Sequence, residues 1–140
     1  MTDIFVRSSG RVPFQSVNQD IRGTTRIIEQ PVLPFPVRRV YVIQDVRDPT
    51  LVRGNHAHRL NDQVIFIVRG SMTLTLDDGE RSQELALSAG EDGIRLMPYL
   101  WHSMKNFTPD CIAVVLASHP YDPKDYISDY DVFKNHVRSL

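Results

Sequence analysis

The sequence predicts an all-β sandwich or barrel closed by a short C-terminal helix. Three observations carry this. Short runs rich in β-branched and aromatic residues recur with turn signals between them. An Asp77-Asp78-Gly79 turn separates two runs of alternating polarity. Helical periodicity is confined to the tail, so an α/β fold has no candidate helices between its strands.

In chain order, residues 26–29 form the first expected strand. The prolines between 31 and 36 then impose an extended or turning connection. Residues 38–43 (Arg-Arg-Val-Tyr-Val-Ile) suit a strand, and residues 63–68 are apolar enough for a strand buried on both faces. A turn at Arg69-Gly70-Ser71 leads into 71–76, whose polar-apolar alternation fits a half-buried strand. The Asp-Gly hairpin signal follows, then a weaker alternation over 82–87. Residues 93–98 make a short strand ending at proline, and 111–118 a late core strand. Tyr130, Phe133 and Val137 share one helical face, predicting about two turns of helix over 129–138.

The length of 140 residues suits a single domain, 1–140, able to bury a core. With 41% hydrophobic and 24% charged residues and a net charge of -1, no electrostatic footprint for nucleic acid or anionic membrane is present. Neither is expected as a partner. The single cysteine, Cys111, excludes an intramolecular disulfide and reads as a buried, reduced thiol. The N-terminus lacks a secretory h-region and no apolar run reaches membrane-spanning length, so a cytoplasmic protein is expected.

The chemistry concentrates at Gly54-Asn55-His56-Ala57-His58. On a strand, His56 and His58 project to the same face, so one site can use both. The spacing His-x-His, four residues, Gln63, six residues, Gly70 is that of the first cupin motif, with glutamine where metal-binding cupins usually carry glutamate. Residues 98–106 resemble the second motif through Pro98, His102 and Asn106, although the proline-to-histidine gap is one residue short and the usual glycine is absent. Together they point to a jelly-roll barrel, the double-stranded β-helix, with His56, His58, Gln63 and His102 inside. Three readings follow. A metal would take the imidazoles, but Gln63 is a weak, uncharged ligand and the neighbouring Asp62 should face away. Histidines without any role would not account for the spacing. Metal-free proton transfer suits imidazoles, which accept and donate protons near neutrality and can serve adjacent carbons of a ketone through an enediol.

Over residues 18–136 the chain resembles the nucleoside-diphosphate-sugar 3,4-ketoisomerases, cupins of the WxcM-like group. Their Arg-Gly-x-His-Ala-His-Lys block with a following Gln matches Arg53-Gly54-Asn55-His56-Ala57-His58-Arg59 and Gln63, with Arg59 in place of Lys. Asp20-Ile21-Arg22-Gly23, Pro34-Phe35, Arg38-Arg39-Val40-Tyr41, Trp101-His102-Ser103-Met104, Tyr121-Asp122 and Asp125-Tyr126-Ile127 follow the family order. The resemblance implies conversion of a dTDP-4-keto-6-deoxyhexose to its 3-keto isomer, for deoxy-amino sugars, by a homodimer that uses no metal or other cofactor. It implies that His56 and His58 are catalytic. It places Tyr41 and Gln63 in the cavity and makes Arg53 the first candidate for the diphosphate, with Arg22 and Arg95 next. Trp101 would wall the pocket and His102 would assist at the new stereocentre. Residues 1–17 match poorly, and family architecture suggests an exchange of this segment with the partner subunit. A metal-dependent cupin enzyme and a non-catalytic sugar-nucleotide-binding cupin are the alternatives.

Overall fold

Alternation decides which residues pair and which face inward. The computed structural model describes residues 2–139. Its strands are β1 (Ser9–Val12), β2 (Gln15–Asn18), β3 (Thr24–Ile27), β4 (Arg39–Ile43), β5 (Arg53–His58), β6 (Gln63–Arg69), β7 (Ser71–Asp77), β8 (Ser82–Ser88), β9 (Gly93–Leu96), β10 (Trp101–Lys105), β11 (Ile112–Ala117) and β12 (Tyr126–Ile127). One α-helix, α1 (Tyr130–Arg138), follows them. Strands order β1-β9-β6-β11-β4 in one five-stranded antiparallel sheet and β12-β5-β10-β7-β8 in the other. The two sheets form the jelly-roll barrel of the cupin fold.

The alternation of β7 and β8 buries Met72, Leu74, Leu76, Leu85 and Leu87 against Ile65, Ile67, Ile94, Ala113 and Val115 of the opposite sheet. Each fully buried aliphatic side chain of this kind contributes about 1.5–3 kcal/mol. Cys111 lies at the rim of this core, 2% exposed, and burial pushes its thiol pKa up. The Asp-Gly signal yields the β7–β8 hairpin, but the turn extends over 78–81. Asp78 is buried there and accepts hydrogen bonds from the backbone N–H groups of Arg7, Glu80 and Arg81. Gly70 has φ 72°, and a Cβ there would strike Thr108 Oγ1 and come within 2.9 Å of Cys111 Cα. The glycine of the first motif is therefore a steric requirement of the β6–β7 turn.

Helix α1 starts at Asp129, whose carboxylate accepts from Asp131 N and Val132 N. It buries Phe133 against Ala57 and Ile127, with Tyr130 and Val137 alongside, as the tail pattern predicted. The N-terminal third differs from expectation. Strand β3 begins two residues earlier than predicted and pairs with the unforeseen β2 in a separate ribbon, which has no long apolar alternation to announce it. Strand β1 pairs with β9 of the same chain, Ser9 opposite Leu96. No helix among the described residues is long and apolar enough to cross a membrane.

Candidate active site

At one side of the barrel the apolar filling gives way to polar side chains. Ala57 points outward to Phe133, while His56 and His58 flank it on the opposite face, as period-two geometry requires. Two left-handed residues, Gly54 (φ 84°) and Asn55 (φ 58°), precede them. A Cβ on Gly54 would lie 3.0 Å from His102 O, so this glycine lets β5 approach β10 closely. Asparagine is among the few residues that accept the left-handed conformation, which suits it to position 55. The pairing sets His102 directly opposite His56.

The three rings form one cluster. Centroids of His56 lie 5.0 Å from His58 and 4.9 Å from His102, and one nitrogen from each ring lies within 4.8 Å of the others. His58 is anchored from behind. Its Nδ1–H donates to Asp125 Oδ2 at 3.0 Å, and its Nε2 is buried without a partner. The same carboxylate accepts from the backbone N–H groups of Arg59, Leu60 and Asn61. His102 Nδ1–H donates to Leu100 O at 3.0 Å. Gln63, only 1% exposed, donates through Nε2 to the Tyr41 hydroxyl at 2.6 Å, leaving its Oε1 buried and unpaired.

Burial, then the neighbouring His58, pushes the His56 pKa down to about 4. Burial, then His56, pushes His102 down to about 3. His58 is also lowered, because burial outweighs the raising effect of Asp125. All three rings are therefore neutral at pH 7, and His56 is in the form that accepts a proton. The unfolded rings titrate near 6.5, so between about pH 3 and 6.5 the unfolded chain binds more protons than the folded one. Stability is then expected to fall as pH drops through that window. Thermal unfolding at stepped pH checks this, and His102→Gln should flatten the decline; a wild-type midpoint constant down to pH 4 would contradict it.

A cavity of about 210 Å³ opens where edge strand β4 faces β5 and β12. Arg39, Tyr41, Ile43, Arg53, Gly54, His56, Met104 and Tyr126 line it. A larger cleft of about 340 Å³ lies beyond Asp125, lined by Leu60, His119, Pro120, Tyr121 and Asp122, and contains none of the clustered imidazoles.

The structure thus brings together His56, His58, His102, Gln63, Tyr41 and Arg53. Three other candidates lie elsewhere. Arg95 sits on the outer face of β9, opposite Val64, with its guanidinium held by Asp62 at 2.6 and 3.2 Å. Arg22 ends an exposed turn beside the β2–β3 ribbon and pairs with Asp20. Trp101 lies on the face of β10 opposite His102 and packs on Tyr130 and Phe133, so it seats α1 instead of walling the pocket.

Asp125, Tyr126 and Arg39 were missed as site residues. Strand β12 pairs with β5, Tyr126 opposite His58, and the Tyr126 ring lies 4.9 Å from His56 and 4.5 Å from His58. Asp125 follows His58 by 67 positions, and its one signal, the Asp125-Tyr126-Ile127 segment of the family order, assigned it no role. Arg39 had one, because it shares the inward face of β4 with Tyr41 by period two.

The family model described as FdtA: WxcM-like, C-terminal, matches residues 11–138. The TDP-4-oxo-6-deoxy-alpha-D-glucose-3,4-oxoisomerase of Aneurinibacillus thermoaerophilus is 40% identical over 122 residues, 86% of this chain and 87% of that protein. A variant of the 3,4-ketoisomerase QdtA from Thermoanaerobacterium thermosaccharolyticum, crystallised with TDP-4-keto-6-deoxyglucose, superposes with a TM-score of 0.91 at 29% identity, over 96% of this chain and 97% of that one. The TDP-quinovose 3,4-ketoisomerase WlaRB of Campylobacter jejuni gives 0.87 at 32% identity, over 93% and 99%. The motif residues converge in one lumen and the match runs almost end to end: the chain belongs to the WxcM-like FdtA family.

Proposed function

We propose that the protein is a TDP-sugar 3,4-ketoisomerase, interconverting a 4-keto-6-deoxyhexose and its 3-keto isomer without a metal. The observation that carries this is a neutral imidazole, His56, lining a pocket of hexose size while His58 stands beside it on an Asp125 tether. His56 takes the C3 proton as the C3–H bond breaks. The released pair forms C3=C4 and the carbonyl π pair moves to O4. Protonation of O4 gives the enediol. Loss of the O3 proton then forms C3=O as C4 takes up a proton, so no oxidant or reductant is consumed. The unpaired Nε2 of His58 is the second group available to carry a proton. Arg53, exposed at the mouth, suits the diphosphate through its guanidinium fork.

A metal-dependent reading has one observation in its favour, the three convergent imidazoles. They would hold the ion, which would polarise the ketone as a Lewis acid. Against it, the position that supplies a carboxylate in metal cupins is Gln63, and its amide is engaged with Tyr41. Conversion of TDP-4-keto-6-deoxyglucose by chelator-treated protein, followed by NMR alongside metal analysis, decides between them. Full activity at substoichiometric metal is expected, and activity restored only by added metal would reverse the assignment.

We further infer one domain, residues 1–140, acting as a cytoplasmic homodimer. The lone, buried Cys111 thiol suits a reducing compartment. Strand β4 is a sheet edge whose outer residues Val40 and Val42 are more than half exposed, at 57% and 51%, and Val68 of the same sheet is 55% exposed. A second copy would cover this apolar face. Sedimentation at the monomer mass would remove the dimer, and fractionation of the host cell tests the compartment.

A further inference from the structure

We propose that Arg39 is a catalytic residue, whose guanidinium stabilises the oxyanion that forms on the sugar during proton abstraction. The assignment rests on the ketoisomerase reading and adds to it the group that receives the negative charge.

Strand β4 alternates Arg39, Tyr41 and Ile43 into the cavity with Val40 and Val42 outside. The guanidinium is held between two aromatic faces, 5.3 Å from the Tyr41 centroid and 6.0 Å from that of Tyr121. Its Nε is buried and has no hydrogen-bond partner. Among the described residues no carboxylate pairs with it, whereas Arg95 is tied to Asp62 and Arg7 to Asp78 and Glu80. A partly desolvated cation without a counter-charge costs free energy, and so does a buried donor without an acceptor. An anion bound in the cavity offsets both costs. Stacked on Tyr41, whose hydroxyl accepts from Gln63, the guanidinium sits on the Gln63 side of the cavity.

The reaction supplies such an anion. As C3 loses its proton to His56, O4 of the former ketone gains a lone pair and a negative charge. Donors held where that charge develops accelerate the step, because they need not reorganise. Two donors face the cavity from β4. Arg39 is one. Tyr41 is the other, since its oxygen accepts from Gln63 Nε2 and its own hydrogen remains free to donate. Burial raises the Tyr41 pKa and so keeps that hydrogen in place at neutral pH. The substrate's diphosphate is a second anion. Arg53, at the exposed start of β5, is better placed for it, because Arg39 is half-buried and stacked on Tyr41.

Arg39→Met and Arg39→Gln separate these roles. TDP affinity by calorimetry reads diphosphate binding, and kcat with TDP-4-keto-6-deoxyglucose reads the chemical step. Arg39→Met is expected to keep TDP affinity within about threefold while kcat falls about 10²–10³-fold, the usual worth of an oxyanion donor. A tenfold or greater loss of TDP affinity with kcat retained would reassign Arg39 to the diphosphate and overturn the proposal. Unchanged kcat and unchanged affinity would leave it a stacking residue and also overturn it. If Arg39→Met does not fold, Arg39→Gln, which removes the charge and keeps a polar side chain, decides. A kcat loss of tenfold or more with TDP binding kept supports the proposal, and parental kcat refutes it. Wild-type protein that binds TDP but never isomerises the sugar would bring down the ketoisomerase reading, and this assignment with it.

Discussion

His56→Asn is expected to lower kcat at least about a hundredfold while leaving TDP affinity and the thermal midpoint close to those of the wild type. His56 is the imidazole that lines the cavity, and its depressed pKa makes it a base without prior deprotonation. Its ring takes no part in the Asp125 or Leu100 hydrogen bonds that hold the two rings behind it, so its loss should spare the fold. Asparagine keeps a polar side chain of similar reach and removes only the titrating nitrogen. Steady-state kinetics and TDP calorimetry on the same preparation check this. The acid limb of the wild-type rate should fall away near pH 4, where the ring begins to hold its proton.

Asp125→Ala should damage both stability and chemistry. This one carboxylate accepts from His58 Nδ1–H and from three consecutive backbone N–H groups, 59 to 61. Each buried donor left unpaired costs about 1–3 kcal/mol, so a loss on the order of 3 kcal/mol is expected even with water filling part of the gap. Denaturant unfolding measures it. Asp125→Asn retains an accepting oxygen and should fold better. It still removes the charge that raises the His58 pKa, so that pKa should drop further and kcat fall at least about tenfold. Imidazole titration by NMR reads the first effect directly. An unchanged His58 pKa would show that the tether is structural only.

The barrel was legible because its core strands obey simple periodicities. Strands β7 and β8 alternate, β6 is apolar on both faces, and the Asp-Gly turn joins two of the longest strands. The ribbon β2–β3 was not, because an exposed two-stranded element buries nothing and so writes no pattern. The cluster His56, His58, His102 and Gln63 could be read from motif spacing, since period two fixes which neighbours share a face. Asp125 could not, because only the pairing of β12 with β5 brings it to His58. Trp101 and Arg95 mark the limit of motif reading. Each sits next to a lumen residue in sequence, and alternation turns each to the opposite face. For Arg95 a nearby carboxylate, Asp62, completes the diversion.

The central claim is that one neutral imidazole in this lumen moves the proton at C3. Incubation of chelator-treated protein with TDP-4-keto-6-deoxyglucose in deuterated water, followed by NMR of the sugar, tests it most directly. The account predicts deuterium at the exchanging ring carbon together with the 3-keto isomer, and neither when His56 is replaced by asparagine. Deuterium uptake by the His56→Asn protein at the wild-type rate would contradict it.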